Sequence, residues 1–435
     1  MSLLARNLAH SASTHAPRGL AALLQKNPDD VVITFAKRSA MGRAKKGQLK
    51  DTTVDELLHA LFKAGRTKLD PAKIDDICVG TCHPPSPLYV SRAAALAAGI
   101  PSHVPISTVN RLCSSGLMAI RSIAHAIQAG ETSIGLAVGV ESMTMQFVSS
   151  APELDKAKRA CSARPTPEIS EIVDKNSEAH DCIQPMGWTS EMVAETYKVS
   201  RETQDKYALI SHTRAAEVKL RPFVDGSPDF ANRLRQRGTF TDEILPLELK
   251  GQIVSVDDTI RPGVSAESLA GLKSVFPNWG TASTTAGNAS GVGDGAGIVI
   301  MTTRARAEQE GMEVVGKWVG SSVVSVEPKY MGISPIYAIP KLLEQLGLNK
   351  EDIDVYEINE AFASQFAYCV EQLGIPIEKI NPNGGAIAVS HPLGMTGVRQ
   401  VVTGLAELKR KNLQLLCTSM CVGSGMGAAG VVIRE

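Results

Sequence analysis

The sequence predicts an α/β protein made of two similar halves around a mainly parallel sheet, and three observations predict it. Apolar, β-rich runs alternate with amphipathic helical segments from residue 29 onward, the pattern of a sheet with helices on its faces. A strand–turn–helix element followed by a glycine-rich turn into a strand occurs twice, with "GVGDGAGIVI" (291–300) echoed by "GSGMGAAGVVI" (423–433). The chain has 435 residues, 43% hydrophobic and 21% charged, which is globular in composition and too long for one simple core. Its formal net charge of zero points to neither nucleic acid nor an anionic membrane. No apolar run is long enough to span a bilayer.

The elements follow in order. Residues 1–28 hold Arg6, Arg18 and Lys26, with no acidic residue before Asp29, and read as a targeting or disordered segment. "DVVITFAKR" opens the fold as a strand, "TVDELLHALFKAG" follows as a helix and "IDDICVG" as a strand. "VPISTVN" is a strand ending at Asn110. After it, Leu117, Ile120, Ala124 and Ile127 fall at helical spacing up to a stop at Gly130. "SIGLAVGVESM" is the next buried strand. From about 149 to 250 charged, proline and polar residues increase around one clear helix, "SRETQDKYALISHTRAAEVK", which reads as an insertion laid over the core. "IDVYEINEAFASQFAYCVEQLG" is again strand, turn and helix. The expected units are 1–28, a first half over 29–303 with the insertion inside it, and a second half over 304–435.

Eight cysteines are spread over the chain, which favours reduced thiols over a disulfide framework. Cys78/Cys82 and Cys417/Cys421 are each separated by three residues, and His83 alone stands beside them. Zinc knuckles are tighter and richer in histidine, so no metal site is expected. Most free cysteines are small buried hydrophobes. Cys113, in "NRLCSSGLMAI", differs because it stands at a strand-to-helix turn. Unpaired N–H groups and the helix dipole there favour thiolate, and a sharp turn is expected to expose the sulfur.

"NEAFA" (359–363) reads as the matching turn of the second half. Asn359 there suits helix capping and suits an amide that holds a water or substrate oxygen about equally well. His391 lies in the glycine-rich turn "GGAIAVSHPLGMTGVRQ", where backbone approaches closely and imidazole can take a proton from a thiol. Cys421 precedes Gly423, Gly425 and Gly427. A thiol there can act as an acid or base toward carbon, beside free backbone N–H groups.

Taken in this order, the C-S-S-G turn, N-E-A-F-A, the H-P-x-G-x-T-G-x-R turn and C-x-G-x-G-x-G closely resemble the motifs of the thiolase family. The resemblance runs from about Asp29 to the end, with "STTAGNASGVGDGA" as a further landmark. It implies a layered α-β-α-β-α fold with an inserted loop domain. It implies thiolysis of a 3-ketoacyl-CoA through an acyl-Cys113 intermediate, with His391 as base and Cys421 as proton donor and acceptor. Two oxyanion sites follow from it: His391 with an Asn359-held water, and the N–H groups of Cys113 and Gly423. Coenzyme A is the implied co-substrate, with no permanently bound cofactor. Motif matching puts Arg261 near the adenine or phosphates and Ser290 near the pantetheine. Met186 and Met331 match positions lining the acyl and pantetheine channel, although ordinary core packing accounts for them as well on spacing alone.

Ser390 stands where the family usually has glycine, and Met395 where some members have cysteine. "CIQPMGWTSEMVAE" resembles the degradative branch, since short-chain biosynthetic members tend to have histidine where Pro185 stands. Acetoacetyl-CoA synthesis by the same residues is the alternative. A ketoacyl synthase would need a second histidine turn, and none matches. The resemblance further implies a homodimer or dimer-based tetramer. "QPMGWTSE", "SRETQDKYAL" and "MGISPIYAIP" resemble peroxisomal members, so the peroxisome is expected. The acid-free start also suits a mitochondrial presequence, leaving the matrix as the alternative.

Overall fold

The structure is a computed structural model and describes residues 18–146, 169–220 and 239–435. Apolar runs form the strands of the first half: β1 (Val31–Arg38), β2 (Asp76–Gly80), β3 (Ile106–Val109), β4 (Ile134–Ser142) and β5 (Gly293–Thr303). Its helices are α1 (Val54–Gly65), α2 (Pro87–Ala97) and α3 (Ser115–Gln128). The insertion contributes α4 (Met186–Thr196) and α5 (Arg201–Leu220). The second half contains β6 (Gly316–Ser325), α6 (Pro335–Leu346), β7 (Val355–Ile358), α7 (Ala363–Leu373), α8 (Leu393–Lys411), β8 (Leu415–Val422) and β9 (Met426–Arg434). Local chemistry fixes several of these ends. α1, for example, begins in a capping box in which the Thr53 N–H donates to the Glu56 carboxylate at 2.9 Å.

Strand order is β3-β2-β4-β5-β1 in the first half and β7-β8-β9-β6 in the second. An isolated parallel bridge from Tyr356 to Ile380 occupies the place beyond β7 that β3 holds beyond β2. The two halves therefore have the same order, and they join where Val32 and Ile33 of β1 pair with Lys317 and Gly316 of β6. The duplication expected from the glycine-rich turns is real, because β5 and β9 are topological counterparts.

Two expectations are corrected. The sheet is mixed and not mainly parallel: β2 pairs in parallel with β3 and β4, and β7 with β8, but β5 and β9 run antiparallel to both neighbours. For β8 and β9 the reason is local. Only Gly423–Gly425 separate them, with Ser424 and Gly425 at positive φ, and so short a link makes a hairpin. The second correction concerns the matching turns. "NEAFA" follows β7, so its counterpart is the turn after β2, which holds Cys82 and His83. The Cys113 turn, between β3 and α3, corresponds instead to the segment before α8 that holds His391.

α3 and α8 pack on each other between the strands of the two halves, in one apolar cluster that includes Leu117, Ile120, Val299, Val398, Val401 and Leu416. α1 and α2 cover the outer face of the first half, and α6 and α7 that of the second. This gives the five α-β-α-β-α layers. α8 was not expected as a helix, because Gly394, Gly397 and Gly404 break its helical pattern. Burial between the sheets outweighs their poor helix propensity.

Residues 1–17, within the segment read as targeting or disordered, lie outside the described residues, as do Cys161 and parts of the insertion. Residues 20–23 form a helical turn, with the Gly19 N–H donating to Leu346 O at 2.7 Å and Leu23 buried in the core of the second half.

The end of the insertion and the segment that follows it are anchored by charge. Arg38 is wholly buried and donates to both Asp257 oxygens at 2.8 and 2.9 Å and to Glu243 at 2.7 Å. Asp257 also accepts the Met41 N–H at 2.7 Å. We expect Arg38→Leu to strand two buried carboxylates and lower stability by about 3–5 kcal/mol, read as a fall in the chemical denaturation midpoint.

Candidate active site

Cys113 sits in the single 3-10 turn Leu112–Ser114 that leads into α3. Hydrogen bonds shape this turn. Asn110 Oδ1 accepts the Leu112 N–H at 2.9 Å, and Ser115 Oγ both accepts the Arg111 N–H at 3.0 Å and donates to Leu112 O at 2.7 Å. Leu112 is held at φ +47, a region that side chains with a Cβ rarely adopt. The helix-terminus position expected from the sequence is therefore present. Exposure of the sulfur is not, since Cys113 is only 8% accessible. The turn after β8 covers it: a Cβ on Gly423 would lie 2.8 Å from Leu112 Cδ1 and 3.5 Å from Met186 Sδ.

His391 is buried, and its tautomer follows from its partners. The Thr396 hydroxyl donates to Pro392 O at 2.8 Å, so it must accept from His391 Nδ1–H at 2.6 Å. Nε2 then keeps its lone pair and accepts from Asn359 Nδ2 at 3.3 Å. Burial, and then the Arg399 charge, push the imidazole down to about 3, so it rests neutral, as a base must. Asn359 does not cap a helix, because α7 starts at Ala363 with Phe362 as its N-cap. Asn359 Oδ1 is buried with no partner among the described residues, which suits the reading of an amide that holds a water or substrate oxygen.

Cys421 is fully buried near the end of β8, and burial holds its thiol well above the usual range, with the Cys113 charge adding to the effect. It shares an apolar cluster with Met331, Phe276, Ala361 and Phe362, against which Met186 packs. Ser290 lies in the same wall, its N–H donating to Ala361 O at 3.0 Å, while the next residue accepts the His391 N–H through Gly291 O at 2.8 Å. The structure thus gathers Cys113, Cys421, Gly423, Asn359, His391, Ser290, Met186 and Met331. Arg261 stands apart, exposed in the segment after the insertion, close enough to His212 for its charge to lower that imidazole.

Three supporting carboxylates and amides were not singled out from the sequence. Glu360 accepts from Ser211 Oγ at 2.6 Å, Asn381 Nδ2 at 2.8 Å and the Ile387 N–H at 3.2 Å, tying the Asn359 turn to the approach to His391. Its place beside Asn359 in "NEAFA" was the available signal. Gln365 accepts from Cys421. Glu141 accepts the N–H groups of Cys82, His83 and Gly394 at 3.0, 3.1 and 2.9 Å, and burial pushes it up to about 7. Cys82, His83 and Glu141 bring their ligand atoms within 4.8 Å of one another, but both Glu141 oxygens already serve backbone N–H groups, which fits a structural anchor and not a metal ligand.

Ser390 stands where the resemblance implies glycine, and its backbone shows why glycine suits that place. It sits at φ +77, ψ 173, a region that is essentially glycine-only. Its Oγ is buried without a partner among the described residues. We expect Ser390→Gly to raise stability by about 1–3 kcal/mol, read as a higher denaturation midpoint.

The family model described as "Thiolase, N-terminal domain" matches residues 31–225 and 226–305, and that described as "Thiolase, C-terminal domain" matches 312–434. The peroxisomal 3-ketoacyl-CoA thiolase of Yarrowia lipolytica is 44% identical over 441 residues, covering 99% of each chain. The crystal structure of the dimeric peroxisomal thiolase of Saccharomyces cerevisiae is 42% identical with a TM-score of 0.85, covering 96% of this chain and 100% of that one. A structure of human mitochondrial 3-ketoacyl-CoA thiolase in complex with CoA is 34% identical with a TM-score of 0.78, covering 94% and 99%. Both halves match and identity extends over nearly the whole length, so the chain belongs to the thiolase family.

Proposed function

We propose that the chain is a 3-ketoacyl-CoA thiolase of the degradative type, which cleaves a 3-ketoacyl-CoA with free CoA into acetyl-CoA and a shortened acyl-CoA. The observation that carries this is the meeting of a helix-terminal Cys113, a neutral His391 with its Nε2 lone pair free of a proton, and a buried Cys421 in an apolar wall.

His391 Nε2 takes the proton of Cys113, whose sulfur attacks the 3-keto carbon. The N–H groups of Cys113 and Gly423 receive the charge on that oxygen. The Cα–Cβ bond breaks, and Cys421 gives its proton to the departing carbon of the acetyl-CoA enolate. His391 and an Asn359-held water stabilise the enolate oxygen. CoA then passes its thiol proton to Cys421 and takes the acyl group, while His391 returns its proton to Cys113. Two acyl transfers replace one difficult displacement. Ser290 and Arg261 are read as contacts to the pantetheine and to the adenine or phosphates, and Met186 and Met331 as walls of the channel. The placement of Ser290 and both methionines beside Cys421 supports these roles.

The test is a cleavage assay across acyl lengths, with mass spectrometry of the protein after incubation without free CoA. We expect an acyl adduct on the Cys113 peptide and turnover of medium or long chains. An adduct on Cys421 alone would overturn the roles of the two cysteines. Activity confined to acetoacetyl-CoA would favour the biosynthetic alternative.

A homodimer fits the edge place that β3 holds among the described residues and the dimer reported for the yeast relative, and light scattering reads it. We assign the chain to the peroxisome, with the mitochondrial matrix as the alternative, on the strength of the peroxisomal relatives. A fluorescent reporter fused to residues 1–30 is expected to enter peroxisomes, and import into mitochondria alone would reverse the assignment.

A further inference from the structure

Two cysteines share this site, and the chemistry asks one to surrender its proton while the other keeps it. The neighbours of Cys421 show how the difference is built. Gln365, on α7, is 1% exposed. Its Oε1 accepts the Cys421 thiol at 3.5 Å and the Ala361 N–H at 3.2 Å. That N–H fixes the amide, since the reverse orientation would set NH2 against N–H. The side of Gln365 facing Cys421 is therefore only an acceptor. An acceptor stabilises S–H and offers nothing to S⁻. Nε2 is buried with no hydrogen-bond partner among the described residues. The other titratable groups acting on Cys421 are the thiols of Cys113 and Cys369, and a charge on either opposes its ionisation.

We propose that Gln365 is a positioning residue that keeps Cys421 in the thiol form, reserving it for proton transfer while Cys113 is acylated. The catalytic half of this statement rests on the thiolase reading; the protonation half does not. Ala361 and Gln365 are four residues apart on the same turn, so the segment that places Asn359 for His391 also places the acceptor for Cys421. One short stretch thereby sets the protonation of both partners of the nucleophile.

The test follows iodoacetamide labelling of Cys421 against pH, by mass spectrometry of its peptide, in a Cys113→Ala background. A net hydrogen bond of about 1 kcal/mol corresponds to roughly fivefold. Gln365→Met, which removes the acceptor at similar shape, should move the profile to lower pH and speed labelling by about that factor. Gln365→Glu keeps an acceptor and adds negative charge, so it should move the profile the other way. With Cys113 present, its own labelling should stay at the parent rate in both variants. Profiles unmoved in both variants would overturn the proposal. So would shifts of the same sign in both, or an equal change at Cys113, since these mark a loosened site. Cleavage assays keep the two readings apart: a parent chain that cleaves no 3-ketoacyl-CoA sinks the thiolase reading, while the labelling profiles still decide Gln365.

Discussion

The site depends on one close contact, where two buried helices, α3 and α8, begin against each other. Glycine makes it possible. A Cβ on Gly116 would lie 2.6 Å from Gly394 O, one on Gly397 2.2 Å from Leu117 N, and one on Gly394 2.4 Å from Val140 O. None of these positions leaves room for a side chain. With the helices so close, Cys113 before α3 and His391 before α8 are brought to one place. The same contact points two helix N-termini at the site, which favours negative charge on the sulfur. Glu141 pins the arrangement by accepting N–H groups from the turn after β2 and from the first turn of α8.

Burial then sets the protonation states. The site lies inside the five layers, so charged forms are costly unless compensated. His391 is neutral at rest because desolvation and Arg399 both oppose its cation. Cys421 remains a thiol for the same kind of reason. Among the described residues, Asn359 Oδ1 in the site and Gln365 Nε2 beside it are buried polar atoms without a hydrogen-bond partner. Glu360, by contrast, accepts three hydrogen bonds. The unpaired Asn359 oxygen, beside the base, is where a ligand or water atom is expected.

The duplication explains the asymmetry between the halves. By strand order the Cys113 turn and the approach to His391 are equivalent places, as are the turn of Cys82 and His83 and the turn of Asn359 and Glu360. One half has placed a nucleophile, the other a base and its amide partner. The hairpin between β8 and β9 adds Cys421 and Gly423 from the second half only. In the first half the corresponding strands, β4 and β5, are separated by the whole insertion, so no equivalent tight turn exists there.

Residue type and local order determined much of this protein in advance. The helix-terminal cysteine, the glycine-set histidine, the Asn-Glu turn and the second cysteine are local patterns whose chemistry is legible in a few residues, although Cys421 itself stands near the end of a strand and only the glycine-rich stretch after it forms the turn. Most strands and the long insertion helix were legible for the same reason, through their short-range periodicity. Tertiary structure decided the rest. Strand direction in β5, the helical state of the glycine-broken α8 and the burial of Cys113 follow from packing between sheets, which no local pattern encodes. The tautomer of His391 needed Thr396 and Pro392 brought round one turn beside Asn359 from another strand. The role of Gln365 needed α7 laid against β8. Separations of 32 residues for Asn359 and His391, and 56 for Gln365 and Cys421, are bridged only when two layers close on each other, because a hydrogen bond depends on distance in space and not along the chain.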